Sequence, residues 1–354
     1  MGVKVAILDD WFDTLRRLPC FATLAGHDVT IWTDHVEDEA DLARRLSDTD
    51  ALVLIRERTP IRKSLVDRLP RLRLISQRSV YPHIDIEACT RNGILVCSNL
   101  HADTPSYATA ELTWALVLAA ARQIPESSAS LRAGKWQSGV GRTLRGKTLG
   151  VFGFGRIGEV VAGYGKAFGM DVMIWAREAS RNRASAAGYR TASSKSALFA
   201  ESDVLSLHIR LVTATRGIVT AADLALMKPT SILVNTSRAG LIEPDALVDA
   251  LRQGRPGWAA VDVFEVEPVR DVHDPLLNLP NVTATPHIGY VTYEEWNLQF
   301  ADIFNQVVAF DEGHPINVIN PDALAKSDDA RHSHLAMPCV TAGPSTTEVA
   351  RRWR

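Results

Sequence analysis

Short apolar runs rich in β-branched residues alternate with amphipathic or polar stretches from the beginning of the chain. The first five runs cover residues 3–8, 28–32, 51–55, 72–76 and 94–97. Residues 39–46 and 61–69 lie between these runs and are predicted to be helical. The alternation predicts βαβ units, and therefore a parallel sheet that is covered by helices on both faces.

A second series of the same kind follows a long apolar stretch, residues 109–122, which predicts a largely buried helix. Its six runs cover residues 148–153, 171–175, 203–208, 231–235, 258–261 and 282–285. Five strands and then six indicate two sheets, and hence an α/β protein with two domains. The polar residues 125–146 are predicted to form a long loop, which is either functional or packed on a partner. The pattern ends after Pro321, and residues 326–354 are predicted to be a mobile tail.

Composition and charge exclude several classes of protein. The chain has 354 residues, which is about two domains at roughly 150 residues each. Acidic and basic residues number 41 and 39, and this near balance argues against a partner that is nucleic acid or a membrane surface. No apolar run approaches the roughly 18 residues of a membrane span, and the first residues do not resemble a signal peptide. The four cysteines form no C-x-x-C pair, so we expect a reduced, cytoplasmic protein without a metal site, in which Cys89 and Cys97 are buried thiols.

A glycine-rich turn stands between the first strand and the first helix of the second series. Gly153, Gly155 and Gly158 form G-x-G-x-x-G in that setting. Such glycines allow a tight turn, close approach of the backbone to a pyrophosphate, and close packing of helix on strand. The N-terminus of the helix adds unpaired N–H groups and a partial positive charge. The turn therefore predicts a bound dinucleotide, NAD or NADP.

The end of the next strand distinguishes between the two dinucleotides. An NAD site carries an acidic residue there that accepts hydrogen bonds from the ribose 2′-hydroxyl. Here Trp175 is followed by Ala176 and Arg177, and Arg181 and Arg183 come shortly after. This arrangement predicts tolerance of, or preference for, the 2′-phosphate of NADP. The alternative is that Arg177 stacks on the adenine and selects neither cofactor.

Arginine, acid and histidine follow three later strands of the second series. Arg238 closes residues 235–238, acidic residues occur at 262, 265 and 267, and His287 lies within residues 285–289. Open α/β sheets bind ligands at the carboxyl ends of their strands. A guanidinium can grip a carboxylate bidentately, a histidine can donate a proton to a developing alkoxide, and an acid can orient that histidine. The set predicts a site that reduces the carbonyl of a 2-oxo acid.

With these motifs in place, the sequence resembles the D-isomer-specific 2-hydroxyacid dehydrogenases, the family of phosphoglycerate, glycerate and D-lactate dehydrogenases. The resemblance runs from about residue 3 to residue 321 and is most specific at residues 131–136, 144–158, 235–238, 262–268 and 286–289. It implies that Arg238 binds and activates the substrate, that His287 is the acid/base, and that Glu267 rather than Glu265 is the partner of the histidine. The implied reaction transfers a hydride between NAD(P)H and C2 of a small 2-oxo or 2-hydroxy acid.

The resemblance also implies binding residues in both domains. Asp262 would lie near the nicotinamide amide, and Arg156 and Ile157 would meet the pyrophosphate with backbone amides. Ile209, Arg210 and Thr215 are implied to line the adenosine side, and Thr236 is implied to lie nearby. The substrate loop corresponds to Ser79, Val80 and Tyr81, where the glycines usual in the family are replaced by larger residues, so that Tyr81 is expected to narrow access to the backbone.

The implied architecture is two doubly wound parallel-sheet domains. A flavodoxin-like substrate domain would comprise residues 1–100 and 291–325, and a Rossmann nucleotide-binding domain would comprise residues 101–290. The resemblance implies a homodimer built on the 109–122 helix and the loop around Trp136.

Two other functions are compatible with parts of this pattern. A formate dehydrogenase-type relative would carry glutamine in place of Glu267, which argues against it. A dinucleotide-sensing binding protein of the corepressor type would retain all three catalytic residue types, so the three residues alone do not exclude it.

Overall fold

The computed structural model describes residues 2–100, 107–137 and 139–324. The described residues divide into two compact units, which we call the terminal unit (residues 2–100 with 299–324) and the central unit (residues 107–137 with 139–298). The assignment of substrate binding to the first and nucleotide binding to the second stays a prediction at this point. The predicted tail, residues 326–354, lies outside the described residues.

The terminal unit contains a five-stranded parallel sheet in the order β2-β1-β3-β4-β5. All five predicted strands are present: β1 Lys4–Ile7, β2 Asp28–Ile31, β3 Ala51–Val53, β4 Leu74–Arg78 and β5 Leu95–Asn99. Three helices connect them: α1 Glu39–Arg45, α2 Lys63–Val66 and α3 Ile86–Arg91. β3 and β4 are buried along their whole length, as expected for central strands covered on both faces, whereas the edge strand β2 is partly exposed. The strand order is that of flavodoxin-like folds.

The central unit contains a seven-stranded parallel sheet in the order β12-β11-β10-β9-β6-β7-β8. The strands are β6 Thr148–Phe152, β7 Asp171–Trp175, β8 Arg190–Thr191, β9 Val204–Leu207, β10 Ile232–Asn235, β11 Trp258–Val261 and β12 Val282–Ala284. The strand order reverses between β6 and β9, as in Rossmann folds, and ligands of such sheets bind at that switch point. The predicted fold class, two parallel-sheet α/β domains, is therefore confirmed.

Eight further helices complete the described chain. They are α4 Tyr107–Arg122, α5 Ile124–Arg132, α6 Arg156–Ala167, α7 Glu178–Ala186, α8 Lys195–Glu201, α9 Ala221–Ala225, α10 Ala246–Arg252 and α11 Tyr293–Asp311. The predicted buried helix is α4, which packs against α6 and over β10 and β11. Trp114 of α4 is buried, donates a hydrogen bond from Nε1 to the carbonyl of Val161, and stacks on Phe168. No helix in the described ranges is long and apolar enough to cross a membrane.

Two sequence predictions require correction. The prediction of six strands in the second series was wrong, because β8 adds a seventh. It is only two residues long and exposed, so it has no apolar run to detect. The prediction that residues 125–146 form a loop throughout was wrong at its start, because α5 occupies Ile124–Arg132. Pro125 lies in the first turn of α5, where proline is favoured. None of the residues of α5 is buried, so the sequence shows no apolar periodicity that would predict this helix.

The buried cysteine thiols behave as predicted. Cys89 and Cys97, the two cysteines predicted to be buried thiols, are both buried and form no disulfide within the described residues. Burial raises the pKa of the Cys89 and Cys97 thiols to about 12, so both are protonated and unreactive at neutral pH.

The segment after α11 forms hydrogen bonds with β5 along the outer edge of the sheet. Backbone hydrogen bonds run from Ser98 to Asn317 and from Ile319 to Val96. The buried Asn320 accepts from the Val96 amide at 2.7 Å and donates to the Ile94 carbonyl at 2.9 Å. These bonds pair backbone groups on the edge of β5 that would otherwise be open for pairing with another strand.

We predict that Asn320→Ala lowers the free energy of unfolding of the terminal unit by about 2 kcal/mol, because it leaves a buried N–H and a buried carbonyl without their partner. Urea titration followed by circular dichroism measures the change. Asn305→Ala, the same substitution at an exposed position of α11, is the control and should be neutral. Equal midpoints for the two variants would contradict the prediction.

Candidate active site

The glycine turn after β6 has the geometry of a phosphate-binding loop. A Cβ on Gly153 would lie 2.3 Å from the carbonyl oxygen of His208, and one on Gly158 would lie 2.1 Å from the carbonyl oxygen of Gly153. Only glycine fits at both positions. Space beside Gly155 is open, and Gly155 caps α6, whose first residues are Arg156 and Ile157. The N–H groups of such a first turn have no acceptor within the helix and can bind phosphate oxygens. These residues fit the pyrophosphate of a dinucleotide.

The arginines that the sequence indicated for the 2′-phosphate of NADP follow β7: Arg177 is the N-cap residue of α7, and Arg181 and Arg183 lie within that helix. Arg181 lies over the ring of Trp175, with its guanidinium carbon 4.7 Å from the ring centroid. Arg183 donates a hydrogen bond to the carbonyl of Phe154 at 2.7 Å. Arg177 caps α7 and is exposed, and its guanidinium contacts no partner among residues 2–100, 107–137 and 139–324. Of the three, Arg177 is thus the one whose charge is uncommitted within this part of the chain.

Of the residues implied for the adenosine side, Ile209, Arg210 and Thr215 lie in the loop after β9, and Thr236 directly follows β10. The hydroxyl of Thr215 donates to the carbonyl of Arg210 at 2.7 Å and accepts from the Val212 amide at 2.8 Å. Ile209 is partly buried and packs against the core of the central unit. Thr236, which is buried, pairs through its hydroxyl with Thr113 of α4 at 2.8 Å.

Glu267 and His287 are in direct contact. Glu267 Oε2 lies 2.5 Å from Nδ1 of His287, and Oε1 accepts from the Phe264 amide at 2.9 Å. A carboxylate can only accept, so Nδ1 carries the proton of this hydrogen bond and Nε2 takes no part in it. Glu265, the other acid that the sequence offered at this loop, is exposed, and the structure places it in no contact with the imidazole.

The charge of Glu267 is stabilised by its surroundings. Burial raises the pKa of Glu267, but the hydrogen bond and charge of His287, the Phe264 amide and the charge of Arg238 outweigh burial and bring the pKa below its ordinary value. The stabilisation that this carboxylate provides is therefore present above the ordinary glutamate pKa, and it is lost as pH falls through the lowered value.

Arg238 lies close enough for its charge to act on Glu267. It follows β10 and precedes a 3-10 turn at Ala239–Leu241. Its guanidinium donates to the carbonyl of Ser237 at 2.7 Å, and the backbone carbonyl of Arg238 accepts from the side-chain amide of Asn235 at 2.9 Å. The carboxyl ends of β10, β11 and β12 thus bring together Arg238, Glu267 and His287, three residues that the sequence analysis grouped.

Asp262 fixes the loop on which His287 sits. It is fully buried, and its Oδ1 accepts from the Thr285 hydroxyl at 2.6 Å and from the Ile288 amide at 2.8 Å. Oδ2 accepts from the Gly289 amide, also at 2.8 Å. His287 itself has φ of 53°, in the left-handed region that few non-glycine residues adopt. Burial raises the pKa of Asp262, and the three donors and the charge of His287 oppose that increase.

Two threonines in this arrangement were missed by the sequence analysis. Thr285 donates to Asp262, and Thr109 of α4 donates to the Gly289 carbonyl at 2.9 Å. The position of Thr285 directly before Pro286 and His287 was a usable signal, because it shares their loop. Nothing local to Thr109 connects it to a residue 180 positions away.

The predicted substrate loop follows β4 in the terminal unit. Ser79 has φ of 84°, and its amide donates to the carbonyl of Asn99 at 3.2 Å. Val80 is half-buried. Tyr81 is also half-buried and packs against the core of the terminal unit.

Comparison with known proteins identifies the family. The model described as "D-isomer specific 2-hydroxyacid dehydrogenase, NAD binding domain" matches residues 114–289. The chain is 36% identical over 314 residues to a glyoxylate reductase of Thermococcus litoralis, covering 85% of this chain and 93% of that one. It is 39% identical to a glyoxylate reductase of Aeropyrum pernix, covering 84% and 91%.

A solved structure agrees with these relatives. The crystal structure of a phosphoglycerate oxidoreductase from Vibrio cholerae o395 superposes with a TM-score of 0.84 at 48% identity, covering 88% of this chain and 99% of that one. The parallel sheets, the glycine turn and the matches along nearly the whole described chain lead to one conclusion: this chain belongs to the D-isomer-specific 2-hydroxyacid dehydrogenase family of oxidoreductases.

Proposed function

We propose that this protein is an NAD(P)-dependent dehydrogenase that interconverts a small 2-oxo acid and the corresponding D-2-hydroxy acid. The observation that carries the proposal is the contact between Glu267 and His287 beside Arg238, at the carboxyl edge of a sheet that also bears the glycine turn. Family membership supplies the class of reaction, and this constellation supplies the residues for it.

In this proposal the three residues have separate tasks. Arg238 grips the substrate carboxylate and polarises the adjacent carbonyl. Nε2 of His287 donates a proton to the oxygen at C2 during reduction and accepts it during oxidation. Glu267 keeps the proton on Nδ1, so that Nε2 faces the reacting oxygen, and favours the cationic ring. The bound nicotinamide supplies the hydride for C2.

The cofactor would be held along the switch point of the central sheet. Gly153, Gly155 and Gly158, with the backbone of Arg156 and Ile157, would receive the pyrophosphate. Further residues that would line the cofactor site are Ile209, Arg210, Thr215, Thr236 and Asp262. Because the side-chain oxygens of Asp262 accept three bonds from the Thr285–Gly289 loop, its role near the nicotinamide would be exercised through that loop.

The uncommitted charge of Arg177, together with Ala176 in place of an acid, favours NADP(H) over NAD(H). A 2′-phosphate would offer the guanidinium a bidentate partner, whereas NAD(H) would find no carboxylate at this strand end to accept from its 2′-hydroxyl.

The substrate carboxylate would also be received by the loop of Ser79, Val80 and Tyr81 in the terminal unit. Backbone amides are suited to this task because they donate to an anion without adding a side chain to the pocket.

A homodimer is part of the proposal, because the central unit exposes large apolar side chains on and around α4 and α5. These are Tyr107 (51% exposed), Ile124 (52%), Leu131 (59%), Trp136 (76%) and Val140 (93%). A second copy of this chain would remove them from water.

We predict that the wild-type protein reduces at least one small 2-oxo acid, and that His287→Ala lowers kcat by about 10²- to 10⁴-fold with an unchanged Kd for NADPH, because only proton transfer is lost. A screen of glyoxylate, pyruvate and hydroxypyruvate with NADPH and NADH, read at 340 nm, measures this. Tight binding of cofactor without turnover of any acid would indicate a dinucleotide-sensing binding protein of the corepressor type instead.

For cofactor choice, Arg177→Ala should raise KM for NADPH about tenfold and leave KM for NADH within twofold, since one charge-assisted contact to the 2′-phosphate disappears. Arg252→Ala removes an exposed arginine from α10 of the same unit and serves as the control. A wild-type enzyme with a clear preference for NADH would refute the assignment.

For assembly, wild-type protein should sediment at twice the chain mass, and the double variant Leu131→Asp/Trp136→Asp should sediment as a monomer, because two charges in an apolar interface cannot be solvated. Val272→Asp places a charge at an exposed apolar residue of the central unit outside the proposed interface, and it should leave the sedimenting mass unchanged. A wild-type monomer at micromolar concentration would rule out the dimer.

A further inference from the structure

A buried side chain of β4 contacts the loop formed by Ser79, Val80 and Tyr81. Gln77, the penultimate residue of β4, is completely buried. Its Nε2 lies 3.0 Å from the carbonyl oxygen of Ser79 and 3.4 Å from that of Val80. Carbonyl oxygens can only accept, so the amide nitrogen of Gln77 must be the end that faces the loop.

Ser98 of the neighbouring strand β5 reinforces this contact. Its hydroxyl accepts from Nε2 of Gln77 at 2.9 Å and donates to the carbonyl of Ser79 at 2.7 Å. The carbonyl of Ser79 therefore receives two hydrogen bonds from two buried side chains. Both lone pairs of that oxygen are used, which fixes the orientation of the peptide.

The planarity of the peptide bond transmits this constraint to the other side of the loop. In a trans peptide the C=O of one residue and the N–H of the next point in opposite directions. Inward carbonyls of Ser79 and Val80 therefore require outward N–H groups of Val80 and Tyr81. Neither N–H donates a hydrogen bond to a residue of the described chain, and Pro82, which follows, has none.

The amide of Ser79 differs, because it is already bonded to the carbonyl of Asn99. The loop thus offers two adjacent N–H groups, not three. Ser79 has a left-handed φ of 84°, so the chain turns at this residue. The turn lies between the bonded amide of Ser79 and the two amides of Val80 and Tyr81. Successive outward amides of this kind form a concave anion site.

We propose that Gln77 is a positioning residue for the substrate carboxylate: by holding the carbonyls of Ser79 and Val80 inward, it presents the amides of Val80 and Tyr81 to the acid group. Gln77 does not touch the substrate, and Ser98 supports it. The inference rests on the proposed function, since it assigns the carboxylate of the same 2-oxo acid to these two amides.

The test replaces the donor while preserving the volume. Gln77→Met retains the length of the side chain but cannot donate to the loop carbonyls. We expect KM for the 2-oxo acid to rise about tenfold, with a much smaller change in kcat and an unchanged Kd for NADPH, because one anchor of the carboxylate becomes disordered. The Kd of oxamate, a non-reacting isostere of the 2-oxo acids, should rise in parallel with KM.

Gln306→Met is the matched control. Gln306 is also completely buried in the terminal unit, where its Oε1 accepts from the hydroxyl of Ser76 at 3.0 Å, and it does not contact the loop. A general loosening of the core would raise KM equally in both variants, and that result would overturn the proposal. Ser98→Ala removes only one of the two hydrogen bonds to the Ser79 carbonyl, so it should raise KM about threefold. This variant tests the proposal if Gln77→Met does not fold.

The outcome for Gln77 is separable from the outcome for the proposed function. Loss of oxamate binding in Gln77→Met but not in Gln306→Met supports the positioning role even if the wild type reduces no acid in the screen. An unchanged KM and an unchanged Kd of oxamate in Gln77→Met overturn it even if the wild type is an active dehydrogenase. A wild type that neither turns over a 2-oxo acid nor binds oxamate refutes both.

Discussion

The site of the central unit depends on the buried carboxylate of Asp262. Its two oxygens hold one hydroxyl and two amides on either side of His287, in a loop whose backbone adopts an unfavourable conformation at the histidine. These bonds hold the backbone of the loop, and the contact between Glu267 and Nδ1 holds the imidazole itself. The strain at His287 is maintained by a group that does not itself carry out chemistry, as is common where a backbone is held in a sparsely populated region.

In the terminal unit, too, a buried polar side chain holds a loop by several hydrogen bonds, but there it is the donor and not the acceptor. In one loop a buried acceptor, Asp262, gathers N–H and O–H donors. In the other a buried donor, Gln77, gathers carbonyl acceptors. Each is placed at the carboxyl end of a parallel strand, so each acts where ligands of such sheets bind. Each of these buried groups has its hydrogen-bond partners in only one conformation of its loop. Any other conformation would leave the group buried without a partner, so the group specifies the observed conformation.

Sequence reasoning recovered those features whose signal is local. The parallel strands, α4 and the glycine turn each lie in a run of apolar or motif residues that can be recognised within about ten positions. Arg238 and His287 were grouped as candidates by their positions after strands, and the choice of Glu267 over Glu265 came from the family resemblance. β8 and α5 escaped because they are exposed and have no buried face. The bonds from Thr109 to Gly289 and from Gln77 to Ser98 join residues 180 and 21 positions apart, and only the folded backbone brings them together.

The hydrogen bonds from residues 317–320 to β5 have a consequence for the order of folding. β5 is the edge strand of its sheet, and the residues that cover that edge are among the last of the described chain to leave the ribosome. The central unit is complete in sequence before they appear, so it can fold while the terminal sheet still has an open edge. During synthesis the terminal unit therefore passes through a stage in which β5 is available to pair with a wrong partner, a hazard that ends only when residues 317–320 arrive.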